Sequence, residues 1–156
     1  MTDDVPRENA KLACQTGGYD MDQTFARYQP AALSLFRLIT GLLLFQYGIA
    51  KFFKYPALPY FAELPPLIAA AGALELVGGG LLMLGLFTRP VAFILAGEMA
   101  FAYFMGHMFK NGVGAPVFHP LLNGGTAAIL FCFACLYLAT AGGGPYSLDA
   151  MMRGKR

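Results

Sequence analysis

Residues 71–90 read AGALELVGGGLLMLGLFTRP, and the reading of this stretch decides the fold. Nearly every side chain before Thr88 is apolar or absent. About 20 consecutive apolar residues are what an α-helix needs to cross the hydrocarbon core of a bilayer. Glu75 breaks the pattern. A lone charge near the bilayer midplane costs at least roughly 2.5–3.5 kcal/mol, so a carboxylate placed there calls for partners inside the protein.

Working outward, three more segments share this character. With the quoted one they run over about 31–53, 66–87, 91–108 and 121–141. Proline punctuates them at Pro30, Pro56, Pro59, Pro65, Pro66, Pro90, Pro116, Pro120 and Pro145. Proline suits helix starts and loops and disrupts helix interiors, so this punctuation supports four helices. The runs lack the alternation of a membrane barrel. Composition agrees: 57% of the residues are hydrophobic and only 13% charged, against about 25% charged in soluble domains. With a mean hydropathy of +0.54, the chain cannot cover a soluble surface with polar groups, and lipid is the expected solvent.

Short loops predict an all-α, integral membrane, antiparallel four-helix bundle. Residues 1–30 read as a polar tail, 31–141 as the transmembrane domain and 142–156 as a second short tail. The tail start has no apolar core of the signal-peptide kind. Arg7, Lys11, Arg27, Arg89, Arg153, Lys155 and Arg156 fall on one side of this arrangement, and Lys51, Lys54 and Lys110 on the other. The basic-rich side faces the cytoplasm, which puts both termini there. Phe52, Phe53, Tyr55, Tyr60 and Phe61 around the first outer loop read as an interfacial belt. The net charge of +2 and the absence of a basic stripe argue against nucleic acid as a partner.

Depth follows from the rise of about 1.5 Å per residue. Glu75 and Glu98 (in VAFILAGEMAFAYF) both fall within one turn of the midplane. Arg37 (in ALSLFRLITGLLLF) falls about 7 Å toward the cytoplasmic side, a distance its side chain can span. Arg37, Glu75 and Glu98 are therefore expected to face the interior and meet as a buried polar site. Two carboxylates beside one guanidinium should not both stay ionised in a low dielectric. Lys51, a bound proton or a cation would balance them, and an exchangeable proton near neutral pH is the expectation. Gly48, Lys51 and Gly79 are the candidate substrate contacts. Buried charges of this kind either handle protons and substrates or pin helices together, and the residues alone leave both open.

Other signals are weaker. Cys132 and Cys135 form a CxxC, but with no helix N-terminus or basic residue nearby to activate a thiolate they read as small apolar packing. Cys14 lies in the polar tail. His107 and His119 flank an outer loop without acidic or thiol companions, a thin ligand set for a metal. Asn123 stands at the start of the fourth segment as a cap or cross-helix hydrogen bonder. No haem or iron–sulfur ligand set and no nucleotide fingerprint is present.

RLITGLLLFQYGIAKF, then GALELVGGGLLMLGLFTRPVAFILAGEMAFAYF, then GGGPYSLDAMM resemble the DoxX family over roughly residues 31–151. The marks are Arg37, the Gly48–Lys51 element, Glu75 with Gly78 and Gly79, the Thr88–Arg89 turn, Glu98 and the terminal Ser147–Asp149. The resemblance implies a multi-pass bacterial inner-membrane protein whose relatives are associated with redox chemistry. It implies a membrane subunit or partner of an oxidoreductase, with a small quinone or a sulfur compound as the substrate beside the polar site and a quinone as the candidate cofactor. The competing class is a non-catalytic membrane protein, either a transporter of protons or small solutes or an assembly factor. Four short helices leave room for a second copy or another subunit.

Overall fold

A computed structural model describes residues 5–57, 65–112 and 116–154, with side chains from Met21 onward. The described residues are helical and contain no strand. Helix α1 (Val5–Phe53) is followed by α2 (Pro66–Leu84) and α3 (Thr88–Phe101), which continues as a π-helix over Ala102–Met108. A single turn, α4 (Pro120–Asn123), precedes α5 (Thr126–Ala141), and α6 (Leu148–Arg153) is the last described helix.

Three stretches are long and apolar enough to cross a membrane: Met21–Phe53, Pro66–Leu84 and Thr88–Met108; α5 is a shorter apolar helix. Their outward faces are apolar. Val77 is 63% exposed, Phe93 66% and Phe133 65%. Only 22–33% of each spanning window is buried within the protein. An apolar exterior of this extent is stable against lipid and not against water.

The core forms where small residues fall at heptad spacing. Ser34, Arg37, Gly41, Leu44, Gly48 and Lys51 make the buried stripe of α1. Gly72, Glu75, Gly79 and Leu82 make the matching stripe of α2. Alternating three- and four-residue steps keep one face of each helix against its neighbour. Without a hydrophobic drive between helices in lipid, close approach of backbones is what holds them. A Cβ on Gly79 would stand 2.6 Å from the Phe45 nitrogen, and one on Gly48 would stand 2.6 Å from the Leu76 nitrogen. Helix α3 packs along α5, burying Leu95, Met99, Cys135 and Leu138. The two pairs, α1–α2 and α3–α5, meet mainly through α2 and α3.

Several expected boundaries move. Helix α1 starts at Val5, so the stretch expected as a polar tail is helical through Pro30. Its Ala, Lys, Glu, Arg, Gln and Met residues favour helix in any solvent. The second segment ends at Leu84 rather than 87, because Gly85 takes the left-handed conformation (φ +69°) and caps it. The third starts at Thr88, three residues early. The fourth is broken: Gly124 is left-handed (φ +74°), and Asn123 bonds Val117 O (2.8 Å) and Gly125 N (2.7 Å) across the break. Within the expected C-terminal tail, α6 folds back onto the α2–α3 turn. Of the expected aromatic belt, Phe52, Phe53 and Tyr55 are exposed. Tyr60, Phe61 and the side chain of Cys14 lie outside the described residues.

Candidate functional site: two buried charge clusters

Glu75 has nine residues of α2 on either side, and Glu98 has ten residues of Thr88–Met108 on either side. Both carboxylates thus stand at the middle of their spans, as their depth in the sequence predicts. What surrounds them differs from the expectation. Glu75 is 3% exposed and pairs with Lys51, Nζ to Oε2, at 2.5 Å. Lys51 sits near the end of α1 and reaches inward. Gly72 makes this possible: a Cβ there would stand 3.0–3.1 Å from the aliphatic stem of Lys51. Glu98 lies near enough to interact electrostatically with both Glu75 and Lys51. Its Oε2 is buried without a hydrogen-bond partner.

Arg37 does not join them. It is 3% exposed and donates from Nη2 to the carbonyl of Tyr146 at 2.9 Å. Its guanidinium lies against Gly85, where no Cβ could be accommodated. Gly85 is ten residues beyond Glu75, about 15 Å along the helix axis. The seven-ångström reach expected of Arg37 therefore runs the other way, toward the helix end and the returning C-terminal segment. Gly48 and Gly79 are also reassigned. The backbone of the opposite helix fills the space in front of each, which leaves no room for a substrate there.

The second cluster gathers around Arg37. Asp149 spans the start of α3: Oδ1 accepts from Phe87 N (2.9 Å) and Oδ2 from Thr88 N (2.8 Å). Asp149 N donates to Gly85 O (2.9 Å), and Ser147 caps α6 through Ala150 N (3.2 Å). Tyr146 N reaches Ser34 Oγ at 3.3 Å. A carboxylate at a helix N-terminus satisfies amides that have no partner in the helix and complements its dipole. Partial burial pushes the Asp149 carboxyl up. Hydrogen bonds from Thr88 and Phe87 and the charge of Arg153 outweigh that and hold it below its ordinary value. This stabilisation is complete above the normal aspartate range and is lost as pH falls through the lowered value. Asp149→Asn at neutral pH should cost about 1 kcal/mol, typical of a lost cap. Amide hydrogen exchange over residues 142–153 should rise, and wild type should reach the same state only in strong acid.

This clasp was the feature hardest to foresee. The short SLD element marked it, but nothing in the sequence shows which helix end Asp149 meets. The remaining candidates stay apart. His107 Nδ1 lies 3.1 Å from Asn123 O, and His119 is exposed on the loop. Among the described residues no group of three His, Cys, Asp or Glu side chains could hold a metal. Cys132 and Cys135 are free thiols, and Cys135 is fully buried in the α3–α5 core.

Apolar helices of spanning length, with charges held between them, define a helical membrane protein. The DoxX family profile matches residues 32–108, which carry Arg37, Lys51, Glu75 and Glu98, and the chain belongs to the DoxX family. An uncharacterized protein of Haemophilus influenzae is 39% identical over 126 residues, covering 79% of this chain and 92% of that one. No solved structure matches.

Proposed function

We propose that this DoxX-family protein serves as the membrane subunit or partner of a quinone-linked oxidoreductase and that Glu98 takes up and releases a proton in that role. The observation carrying the proposal is the Glu98 carboxylate at mid-span, with one oxygen unbonded by the protein. The neighbouring Lys51–Glu75 pair is already balanced. A second carboxylate beside a paired lysine and glutamate in a low dielectric is a natural proton carrier, since its charged form has no counter-ion of its own among the described residues. Lys51 takes the part that the sequence assigns to Arg37, holding an anionic glutamate. In this reading the basic-rich end, with both termini, faces the cytoplasm of a bacterial inner membrane.

The Lys51–Glu75 pair also supports a second reading. It bridges α1 and α2, the most closely packed pair, and can act there as a pin in a transporter or assembly factor. Glu98→Gln separates the two. Copurification with its partner, followed by a quinone-reduction assay, should show activity falling by about a hundredfold or more, the scale of a lost proton-transfer group, with abundance kept. Full activity at full abundance would sink the proton role. A fall in abundance alone would favour the pin.

A further inference from the structure

Helix α1 carries two seams, and the bundle covers only one of them. The buried stripe from Ser34 to Lys51 faces α2. On the other side, Met21, Phe25, Tyr28, Ala32, Leu35 and Ile39 follow one another in alternating steps of four and three residues. Such steps repeat every seven residues and keep the six on one face, roughly 150° around the helix from the α2 stripe. All six are exposed, Met21 at 64%, Phe25 at 70% and Tyr28 at 62%.

Lipid accounts for only one half of this seam. About 20 residues span the hydrocarbon, so counting back from Phe53 sets its edge near Leu33. Leu35 and Ile39 lie inside that edge. Phe25 lies about 12 Å and Met21 about 18 Å outside it, past the roughly 5–7 Å of headgroups on one side. There α1 has run clear of the bundle. Arg37 is already level with Gly85 at the end of α2, and every residue from Met21 to Ala32 is exposed. A stripe of large apolar side chains standing in water marks an interaction surface. Helices in proteins also draw most of their stability from packing such a face.

The cover must match both halves. A heptad seam calls for a second helix, and here that helix must cross the same membrane boundary and continue into water. A second copy of this chain does so. Copies of one chain insert in one direction. Identical seams then stand side by side, parallel and at equal depth, about a two-fold axis along the membrane normal. Ala32, the small residue of the seam, lets the two backbones approach where they enter the bilayer. The area suffices: roughly 100 Å² stays uncovered on each of the five large side chains, so two copies bring together about 1,000 Å², where lasting interfaces begin. The bilayer surface is the poorer cover. Residues 1–30 hold five acidic side chains against three basic ones, whereas helices that lie on anionic lipid are rich in Lys and Arg.

We propose that two copies of this protein pair through the α1 seam from Met21 to Ile39, as a parallel coiled coil that starts in the membrane and continues into water. The test uses the full chain in proteoliposomes, at a lipid excess that makes chance encounters rare. With Cys14 replaced by Ser, Met21→Cys on the seam should form a disulfide-linked dimer under copper–phenanthroline. Gln23→Cys, on the opposite side of the helix, should not. The Cys14→Ser protein, which keeps Cys132 and Cys135, sets the background. Phe25→Glu lies outside the bilayer, and should weaken dimerisation in detergent at least about tenfold by light scattering, as loss of an aromatic anchor does. Equal cross-linking at positions 21 and 23, or none at 21, overturns the pairing. So does a Phe25→Glu variant that dimerises as well as wild type. A fluorophore on Met21→Cys should resist quenching by brominated lipid; strong quenching would lay the seam on the bilayer and overturn the pairing as well.

Discussion

Lys51→Met is expected to destabilise the protein by about 3–5 kcal/mol, the usual cost of removing one partner from a buried ion pair. The substitution keeps much of the aliphatic stem that packs against Gly72 and removes the ammonium. Glu75, 3% exposed at mid-span, then keeps a carboxylate with neither water nor the cation that stands 2.5 Å away. It can escape only by taking up a proton, so the loss should be smaller at low pH and larger at high pH. Adding Glu75→Leu should restore most of the stability, because replacing both members of a buried pair with apolar groups is often neutral or favourable. Unfolding by SDS titration from mild detergent, at two pH values, would measure all three variants. Equal stability of the single and double variants would show that the pair holds nothing.

The second large effect lies within one glycine triplet. Gly79→Ala should cost about 1–3 kcal/mol or more, since overpacking at this site presses on backbone and not on a movable side chain. Its Cβ would stand 2.6 Å from Phe45 N, 2.8 Å from Gly41 O and 3.0 Å from Phe45 Cα. The helices would have to separate, one turn from the Lys51–Glu75 pair. Gly80→Ala, one residue on, meets only the Phe45 ring at 3.7–3.8 Å, an ordinary contact. It should be neutral or stabilising by up to about 1 kcal/mol, the difference in helix propensity between glycine and alanine. Thermal melts of the two variants in the same detergent decide the matter. Similar losses in both would mean that α1 and α2 do not approach at Gly79.

Residues 71–90 show how far one-dimensional reading reaches. The segment's apolar length, the depth of Glu75 and the need for a partner all follow from helix rise and the cost of a charge in hydrocarbon. The same reasoning places Glu98 at mid-span. These are local properties, determined by composition and by a period that every helix obeys. The family marks, from Arg37 to Asp149, add to them.

Pairing is a different kind of fact. Arg37, Lys51, Glu75 and Glu98 have long side chains, and each can reach several levels of a neighbouring helix. Which cation meets Glu75 depends on the register of α1 against α2. That register depends on where glycines let two backbones touch: Gly41 and Gly79 meet, Gly48 meets Leu76, and Gly72 leaves a path for Lys51. Arg37 then falls at Gly85, within reach of Tyr146 and far from Glu75. The C-terminal clasp is beyond sequence reading for the same reason, because the fold brings together Asp149 and Thr88, which stand 61 positions apart in sequence. Composition and helical period are enough to specify a helical membrane protein of the DoxX kind with two glutamates at mid-span. The separation of its charges into two clusters comes from packing, since partners are chosen by helix register and chain return, which no single helix encodes.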